Sequence, residues 1–471
     1  MKRAKARLAD GWLYGLACGL ALIAIAAHVP GHVSIDSSEQ LYEALTGRSV
    51  SWSPPFMSAF LRLLGGGAGA TTVFVVTCSL LTYAGLSLAL AAGRRQAGDQ
   101  ARFGGRLGTA AIAVLIANPL VFLYVGIVWK DVLLAALFAA TAGLLLYARG
   151  VQSGRRRALC MAALLLLVPL LLVRQQGILL APPLLAVAAA GIAETRMRGG
   201  DPWWWLRWTG VVLLYVLLCW ATATGVRQLV QGTGDKSTSV GLAAVQRYDL
   251  TGMLALGGAP ATRLPSGLST PAFLAAVQRS YSSDRIDIVL NDPMVVDGFL
   301  ELDAANVSDA WWALIRERPS VYLYVKARQF AWLIGVYRLD KCLPLHVGVE
   351  GNAQYLEAAG ISVGIDRYDQ QLHDAGIWIR RLVLHRHWFY LAILLVCVAS
   401  LAASWRRDSG PGAAHALAFG LLAFYGSYAA TTIACDFRYL YPGLVGTSVL
   451  AIYMLARGRG VAGAGNTAAP T

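Results

Sequence analysis

Residues 31–64 read GHVSIDSSEQLYEALTGRSVSWSPPFMSAFLRLL and follow an apolar run at 11–30. That run is long enough to cross the hydrocarbon core of a bilayer, which takes about 20 apolar residues. Three acids and a pair of prolines therefore stand directly outside a predicted first membrane span. We interpret this stretch as the floor of an active site at the membrane surface, and the rest of the chain is organised around it.

The composition is that of a protein largely immersed in lipid. Hydrophobic residues make up 57% of the chain and charged residues 14%, and the mean hydropathy is +0.55. Repeated apolar runs predict an all-α polytopic membrane protein with about 10–12 transmembrane helices. The first run is no cleaved signal, because no small-residue cleavage site follows it. The predicted spans are 11–30, 70–93, 107–129, 131–148, 158–173, 178–193, 208–226, 388–405, 412–434 and 440–456.

Basic residues concentrate on one side of this predicted topology. The N-terminus and the loops on that side carry 19 of the 40 lysines and arginines but only five of the 26 acids, which accounts for the whole net charge of +14. Positively charged loops stay in the cytoplasm. We therefore predict that both termini are cytoplasmic and that the less basic loops face the opposite side. Short loops between spans form no basic face, so the charge does not indicate nucleic-acid binding.

One long hydrophilic segment interrupts the spans. Within it, the segment 322–337 carries aromatic residues beside Lys326 and Arg328, which predicts a helix at the membrane interface. Extra spans hidden in the segment are the alternative. The predicted modules are an N-terminal transmembrane module at 1–226 with its first periplasmic loop at 31–66, a periplasmic subdomain at 227–387, a C-terminal transmembrane module at 388–458 and a disordered tail at 459–471.

Asp36 and Glu39 are the acids nearest the first span. The apolar spacing after them predicts a short helix along the membrane surface. Taken alone, the pair is better explained as an N-cap, Asp36, with Glu39 completing a capping box. Taken with the other outer loops, both are candidate site residues. Further on, Pro55 can begin a second short helix.

Lys130, Asp131 and Arg174 lie at the tips of two tight outer hairpins. Two spans use up residues 107–148, so Trp129-Lys130-Asp131 must turn at the interface without a loop. A snorkelling lysine beside an interfacial tryptophan explains Lys130 but not Asp131. Arg174 is predicted below the headgroup level, where an ionised group faces a polar cavity or a partner. A site role and a structural salt bridge to Asp131 both stay open.

The last outer tip reads CDFRYLYP at 435–442. Its simplest explanation is an aromatic belt with an ion pair between Asp436 and Arg438. However, every outer hairpin carries ionised groups near the membrane plane, whereas arginine dominates every inner loop. This asymmetry favours an outward-facing polar site. An oxidising periplasm would also permit a disulfide between Cys342 and Cys435 without requiring one.

Such a site suits the transfer of a sugar from a lipid phosphate. A carboxylate can take the proton of an acceptor hydroxyl while lysine and arginine hold the phosphate. The phosphate leaves as an anion, so fixed cations stabilise the transition state more than the ground state. The sequence has no glycine-rich phosphate loop after a strand and no metal-binding CxxC or HExxH spacing. No nucleotide or other cofactor is expected, and a divalent metal is not indicated.

These motifs resemble the GT-C superfamily of integral-membrane glycosyltransferases, in particular a bacterial branch of unassigned function. Ser53 stands where the superfamily frequently has histidine. The matching segments are the acidic first loop closing on WSPP at 52–55, WKD at 129–131, RQQG at 174–177, the helix at 318–328 and RYLYP at 438–442.

The resemblance implies a GT-C-like fold, a location in the bacterial inner membrane with the active site on the periplasmic face, and roles for individual residues. Asp36 would be the general base of an inverting transfer. The substrate-binding residues would be Glu39 at the acceptor, Lys130, Arg174 and Arg438 at the donor phosphate, Tyr439 on the sugar or lipid, and Asp131. The implied donor is a sugar on polyprenyl phosphate, such as undecaprenyl phosphate. The acceptor would be a cell-envelope glycan, lipid or protein held by the periplasmic subdomain, and membrane lipids would surround the bundle.

Two other functional classes share some of these features. An O-antigen ligase or polymerase also has many spans and outward arginines, but uses a pyrophosphate-linked glycan. A lipid-linked sugar transporter would need charges or broken helices in the middle of the membrane. The ionised groups here cluster at the outer ends of the spans instead.

Overall fold

The computed structural model describes residues 11–51, 53–97, 105–193, 203–231, 237–257, 264–300, 302–337, 342, 345–404 and 412–458. The predicted tail at 459–471 and Trp52 of the first loop lie outside these residues.

Helices account for nearly all regular structure in the described chain. The first part comprises α1 (Gly11–His28), α2 (Ile35–Thr46), α3 (Phe56–Leu63), α4 (Ala68–Ala97), α5 (Gly105–Ile116), α6 (Pro119–Val125), α7 (Lys130–Ala148), α8 (Ser153–Val173), α9 (Gly177–Ile192) and α10 (Trp204–Leu229). The part that we call the insertion comprises α11 (Ser237–Gly257), α12 (Ser266–Ser269), α13 (Pro271–Ser280), α14 (Ile286–Leu290), α15 (Pro293–Leu300), α16 (Ala304–Glu317), α17 (Pro319–Leu333), α18 (Ala353–Ala358) and α19 (Arg367–Ile379). The chain then continues with α20 (His387–Ser404), α21 (Ala413–Thr431) and α22 (Tyr441–Arg457).

The predicted spans coincide with these helices. Among the described residues, nine helical segments are long and apolar enough to cross a membrane, and none of them lies in the insertion. The tenth predicted span, 178–193, coincides with the shorter apolar helix α9, which has 16 residues. The protein is therefore an all-α, multi-pass membrane protein.

The span predicted as continuous at 107–129 is interrupted. It divides into α5 and α6, because Pro119 at the start of α6 has no N–H to continue the helix. Asn118 caps α6 by accepting a hydrogen bond from the amide of Leu120 at 3.0 Å, and its own amide donates to the hydroxyl of Tyr390 at 2.7 Å. Both the oxygen and the nitrogen of the Asn118 side chain therefore have hydrogen-bond partners at the break.

Helix α7 is the most buried helix of the bundle, with 89% of its apolar window covered by protein. Small residues let α4 approach it closely. A Cβ atom added to Gly85 would lie 2.4 Å from the carbonyl carbon of Ala139, and one added to Gly143 would lie 2.7 Å from the carbonyl oxygen of Gly85. Close backbone contact of this kind holds helices together in lipid. It also fixes the position of the α7 N-terminus, where Lys130 and Asp131 stand.

The insertion has its own apolar core. Tyr248 of α11, Phe273 of α13 and Val307 of α16 are buried within it. Helix α17 covers the predicted interfacial segment, but one of its charges has a different role from the predicted one. Lys326 is buried, with 5% exposed, and donates a hydrogen bond to Asp249 at 2.9 Å. A buried ion pair inside the insertion therefore replaces the predicted interfacial lysine.

The insertion is joined to the segment before Arg438 by backbone hydrogen bonds and a disulfide. The amide of Ile286 donates to the carbonyl of Ile433 at 2.9 Å, and the amide of Cys435 donates to the carbonyl of Asp284 at 2.8 Å. The disulfide that the sequence permits is formed between Cys342 and Cys435. Residues 433–435 are therefore held on both sides before the chain enters the last membrane helix.

The insertion also holds the segment that leads to Asp36. The amide of Val33 donates to the carbonyl of Gly348 at 3.0 Å, and the amide of Glu350 donates to the carbonyl of Val33 at 2.8 Å. Tyr355 of α18 stacks on Tyr42 of α2, with ring centroids 4.1 Å apart. One inserted segment is thus attached beside both the first and the last outer tips.

Removing the disulfide is expected to lower stability. Cys342 and Cys435 are 93 positions apart, and a cross-link that closes a loop of about that length contributes on the order of 2–5 kcal/mol. We expect a lower thermal unfolding midpoint for the Cys342→Ser/Cys435→Ser variant, with Cys18→Ser, an exposed free thiol, as control. Reductant should lower the wild-type midpoint to that of the variant, and equal midpoints without reductant would contradict the prediction.

Candidate functional site

Asp36 stands in the first turn of α2 and not at its cap. Ser34 is the N-cap and accepts a hydrogen bond from the amide of Ser37, so the capping box predicted from Asp36 and Glu39 is wrong. The carboxylate of Asp36 is thereby released from a capping role. Its side chain is 41% exposed and points toward the last outer tip of the chain.

The N-terminus of α2 is fastened to the loop before α7. The hydroxyl of Ser37 donates to the carbonyl of Val128 at 2.7 Å, and the indole N–H of Trp129 donates to the hydroxyl oxygen of Ser34 at 2.7 Å. These two bonds fix the distance between Asp36 and the Trp129-Lys130 turn.

Arg438 connects Asp36 to Asp436. Its Nη1 lies 2.6 Å from Oδ2 of Asp36, and its Nε lies 2.8 Å from Oδ2 of Asp436. The guanidinium also stands over the ring of Trp129, 4.8 Å from its centroid. The ion pair expected between Asp436 and Arg438 is present, but Arg438 is shared with Asp36. A planar guanidinium with several fixed donors can hold two carboxylates in this way.

The charges around Asp36 favour its ionised form. Burial alone would raise the pKa of Asp36, but the positive charges of Arg438 and Lys130 outweigh it and hold that pKa below its ordinary value. Burial has the larger effect at Asp436 and raises its pKa, although Arg438 opposes the rise. Asp36 is therefore the more exposed carboxylate of the pair and the one that ionises more readily.

Lys130 reaches the same cluster from the start of α7. Its Nζ donates to the hydroxyl of Ser53 at 2.8 Å, and its charge acts on Asp36. The loop that carries Ser53 is held by a buried acid, Glu43. That carboxylate accepts hydrogen bonds from the amides of Val50 and Ser51 at 2.8 and 2.7 Å. The position of Lys130 therefore depends on an acid that never meets the solvent.

Arg174 is paired with Asp131. The guanidinium contacts the carboxylate directly, and both side chains are buried. The Nε of Arg174 also donates to Gln176 at 2.9 Å. The structural salt bridge that the sequence left open is thus formed. It does not remove Arg174 from the site, because its charge acts on both Asp36 and Lys130.

Tyr439 joins the two arginines. Arg174 lies 5.1 Å from the centroid of its ring and Arg438 lies 5.6 Å from it. Tyr428 of α21 stacks on the same ring with centroids 6.1 Å apart. Contacts between cations and aromatic rings hold the guanidinium planes in place.

Glu39 lies on α2 one turn beyond Asp36 and is partly buried. Burial raises the pKa of Glu39, and the negative charges of Asp36 and Glu43 raise it further. Glu39 therefore binds a proton more readily than an ordinary glutamate. In its protonated form Glu39 would donate a hydrogen bond as well as accept one.

The structure brings together all seven residues that the sequence singled out. Together with Asp436, they form a cluster of three cations and four acidic side chains beside the outer ends of α7, α8 and α22. An anion that enters would have to compete with the carboxylates for the cations. Among the described residues, no group of three or more histidine, cysteine or acidic side chains is placed to hold a metal ion.

Sequence reasoning missed Glu43 and Tyr428. Glu43 follows Asp36 by seven positions on the same helix, which places both on similar faces and was a usable signal. The hydrogen-bond partners of Glu43 are backbone amides of a loop, and no local sequence pattern predicts such partners. Tyr428 lies within an apolar span and gives no sequence signal of its own.

Comparisons with known proteins give distant structural similarities only. No protein-family model matches the chain, and no curated protein matches it. Crystal structures of ArnT from Cupriavidus metallidurans, in the apo state and bound to undecaprenyl phosphate, align over 96% of this chain and 78% of their own, with identities of 16% and 14% and TM-scores of 0.30 and 0.33. The archaeal oligosaccharyltransferase AglB from Archaeoglobus fulgidus, in complex with an inhibitory peptide and a dolichol-phosphate, aligns over 94% of this chain and 50% of its own, with 11% identity and a TM-score of 0.37. Similarities this distant do not identify the reaction, so only the residues of the site indicate it.

Proposed function

We propose that this protein is a glycosyltransferase of the bacterial inner membrane. It would move a sugar from a polyprenyl-phosphate donor to a glycan, lipid or protein acceptor on the periplasmic face. The observation that carries the proposal is the contact between Asp36 and Arg438 at 2.6 Å, within a cluster that also holds Lys130 and Arg174. A reachable ionised carboxylate next to several cations that stand at the ends of membrane helices suits a reaction between a hydroxyl and a lipid-bound phosphate ester.

The proposed reaction is a single displacement at the anomeric carbon of the donor sugar. Asp36 takes the proton of the acceptor hydroxyl, and the hydroxyl oxygen forms a bond to that carbon. The bond between the carbon and the phosphate oxygen breaks, and its electrons leave with polyprenyl phosphate. Attack from the side opposite the leaving group inverts the anomeric centre.

Lys130, Arg174 and Arg438 would stabilise the departing phosphate. Its negative charge grows as the bond breaks, so fixed cations in a partly dry site lower the barrier. These side chains supply the positive charge that a divalent metal would otherwise provide, and we propose that no metal is needed. Tyr439, which lies against both arginines, would border the sugar or the first isoprene unit.

Donor binding would also prepare the base. In the structure Arg438 is occupied by Asp36 and Asp436. A phosphate that takes over the Nη1 contact frees the carboxylate of Asp36 and removes part of the charge that lowers its pKa. Asp36 therefore becomes a stronger base when the donor is bound. Without donor, its carboxylate stays paired with Arg438.

This mechanism predicts different pH dependences for kcat/KM and kcat. The pKa of Asp36 is lowered in the free enzyme, so the acid limb of kcat/KM, which reports the free enzyme, should appear only below about pH 4, the ordinary pKa of an aspartate. In the donor complex the pKa of Asp36 rises, and the acid limb of kcat should lie at higher pH. Steady-state pH profiles measure both limbs. An acid limb of kcat at or below that of kcat/KM would contradict the proposed exchange.

A donor comparison tests the function directly. The purified protein is incubated with a sugar on undecaprenyl phosphate or with the same sugar on undecaprenyl diphosphate, and the released lipid is quantified. We expect turnover with the monophosphate carrier only. Turnover with the diphosphate carrier alone would favour the ligase or polymerase class, and turnover with neither, across the common envelope sugars, would reject the proposal.

A further inference from the structure

A polar groove in the insertion lies next to the segment that carries Asp436 and Arg438. Its volume is about 480 Å³, and it is lined by Asp284, Arg285, Asp287, Ile288 and Asn291. Binding sites for small ligands have volumes of about 300–1,000 Å³. The groove is therefore large enough for one or two sugar rings, and it is open rather than enclosed.

The groove is built directly beside the proposed catalytic cluster. Arg285 pairs with Ala434 in an antiparallel bridge, and the amide of Cys435 donates to the carbonyl of Asp284. The next residue along the chain is Asp436, which accepts from Arg438 at 2.8 Å. The charge of Arg285 also acts on Asp436, where it opposes the rise in that residue's pKa. A molecule bound in the groove would therefore lie beside the Asp436–Arg438 pair, to which Asp36 is joined.

One side chain of the groove is buried without full hydrogen bonding. Asp284 is 1% exposed, and its Oδ2 has no hydrogen-bond partner among the described residues, while Ser282 donates to its other oxygen. A buried polar atom without a partner is costly. The oxygen is covered in the structure, so the Asp284 side chain has to turn toward the groove before a ligand hydroxyl can donate to it. That hydrogen bond would remove the cost, and Asp284 therefore suits a ligand rich in hydroxyl donors.

The remaining lining residues suit a neutral carbohydrate. Arg285 and Asp287 form an ion pair at 3.0 Å, so neither charge is left over to select an ion. Carboxylate, guanidinium and amide groups together offer both donors and acceptors to neighbouring hydroxyls. Ile288, which is 44% exposed, offers an apolar surface to the C–H face of a sugar ring.

We propose that this groove is the acceptor subsite and that it binds the hydroxyl-rich end of a glycan. The inference rests on the proposed function, because it gives the acceptor of that reaction a chemical class. Among glycan, lipid and protein acceptors, it selects a carbohydrate hydroxyl as the group that receives the new sugar.

Binding can be tested without turnover. The full chain in an amphipol is mixed with methyl glycosides of glucose, galactose, mannose and N-acetylglucosamine, and saturation-transfer difference NMR detects contact at millimolar concentration. Maltoside detergents are avoided because they carry the same chemistry as the ligand. We expect a signal for at least one glycoside, and a signal at least about fivefold weaker for Asp287→Ala/Asn291→Ala, since a site built for hydroxyls loses affinity when its polar groups are removed.

The chain offers a matched control for this experiment. Asp297 is an exposed acid on the next helix, α15, and does not line the groove. Asp297→Ala should give the wild-type signal. The proposal is overturned if no glycoside binds the wild type, or if the double variant and the control give equal signals. Glycoside binding that depends on Asp287 and Asn291, in a protein that turns over no lipid-linked donor, would retain the groove as a carbohydrate site and reject the transferase function.

Discussion

Asp36→Asn is expected to lower sugar transfer about 10³-fold, because positioned general bases contribute on the order of 10²- to 10⁴-fold. Asparagine has nearly the shape of aspartate but cannot take the acceptor's proton. The loss should fall on kcat. Donor binding should be unchanged or tighter, since the variant removes a carboxylate that occupies Arg438 at 2.6 Å. Release of undecaprenyl phosphate in initial-rate assays measures kcat and KM separately.

The control for this prediction is Glu357→Gln. Glu357 is an exposed acid on α18, the helix that packs against α2, and its substitution should leave transfer within about twofold, as expected for a surface change away from special features. If Asp36→Asn retains wild-type kcat, Asp36 is not the base. If it raises KM with kcat unchanged, Asp36 serves binding instead.

Arg438→Gln is expected to damage both donor binding and stability. Loss of a cation that stabilises developing charge costs about 10²- to 10³-fold in rate. Asp436, which is 7% exposed, would also be left buried without its counter-charge, and breaking a buried pair from one side costs on the order of 3 kcal/mol. We therefore expect a raised KM for the donor, a reduced kcat and a lower thermal unfolding midpoint.

A second substitution separates these two effects. Asp436→Asn in the Arg438→Gln background removes the stranded charge, so the double variant should regain most of the lost stability but none of the lost transfer. Arg438→Lys should keep the charge and lose the two-way contact through Nε and Nη1, which gives an intermediate rate. Wild-type donor affinity in all three variants would show that the phosphate does not bind at Arg438.

Membrane geometry explains how much of the site could be predicted from the sequence. Asp36 and Arg438 are far apart in the chain, but both follow or precede an apolar run on the same predicted side. Groups at the outer ends of packed helices are confined to one thin layer, so their convergence follows from topology alone. The pairing within that layer does not follow. Arg174 contacts Asp131 while Arg438 contacts Asp36, and only side-chain packing decides between such partners.

The errors of the sequence analysis arose where a local pattern had two solutions. Ser34 and Asp36 are both good N-cap residues, and the bonds that join Ser34 and Ser37 to the segment at 128–129 favour the first. The break at Asn118-Pro119 carried a recognisable signal, which the apolar average over 107–129 concealed. The pattern around Lys326 predicts a position at the interface, because periodicity within one helix contains no information about a distant partner. That partner, Asp249, lies 77 positions away in the chain.

The insertion is attached to the chain beside both members of the Asp36–Arg438 pair. Residues 346–350 fasten to the backbone beside Asp36, and residues 284–286 fasten to the backbone just ahead of Arg438. Asp287, Ile288 and Asn291, which also line the proposed acceptor groove, take no part in either attachment. Substituting these three residues should therefore alter which acceptor is recruited, while the Asp36–Arg438 pair keeps its spacing. Such substitutions would redirect the proposed transferase without rebuilding its membrane bundle.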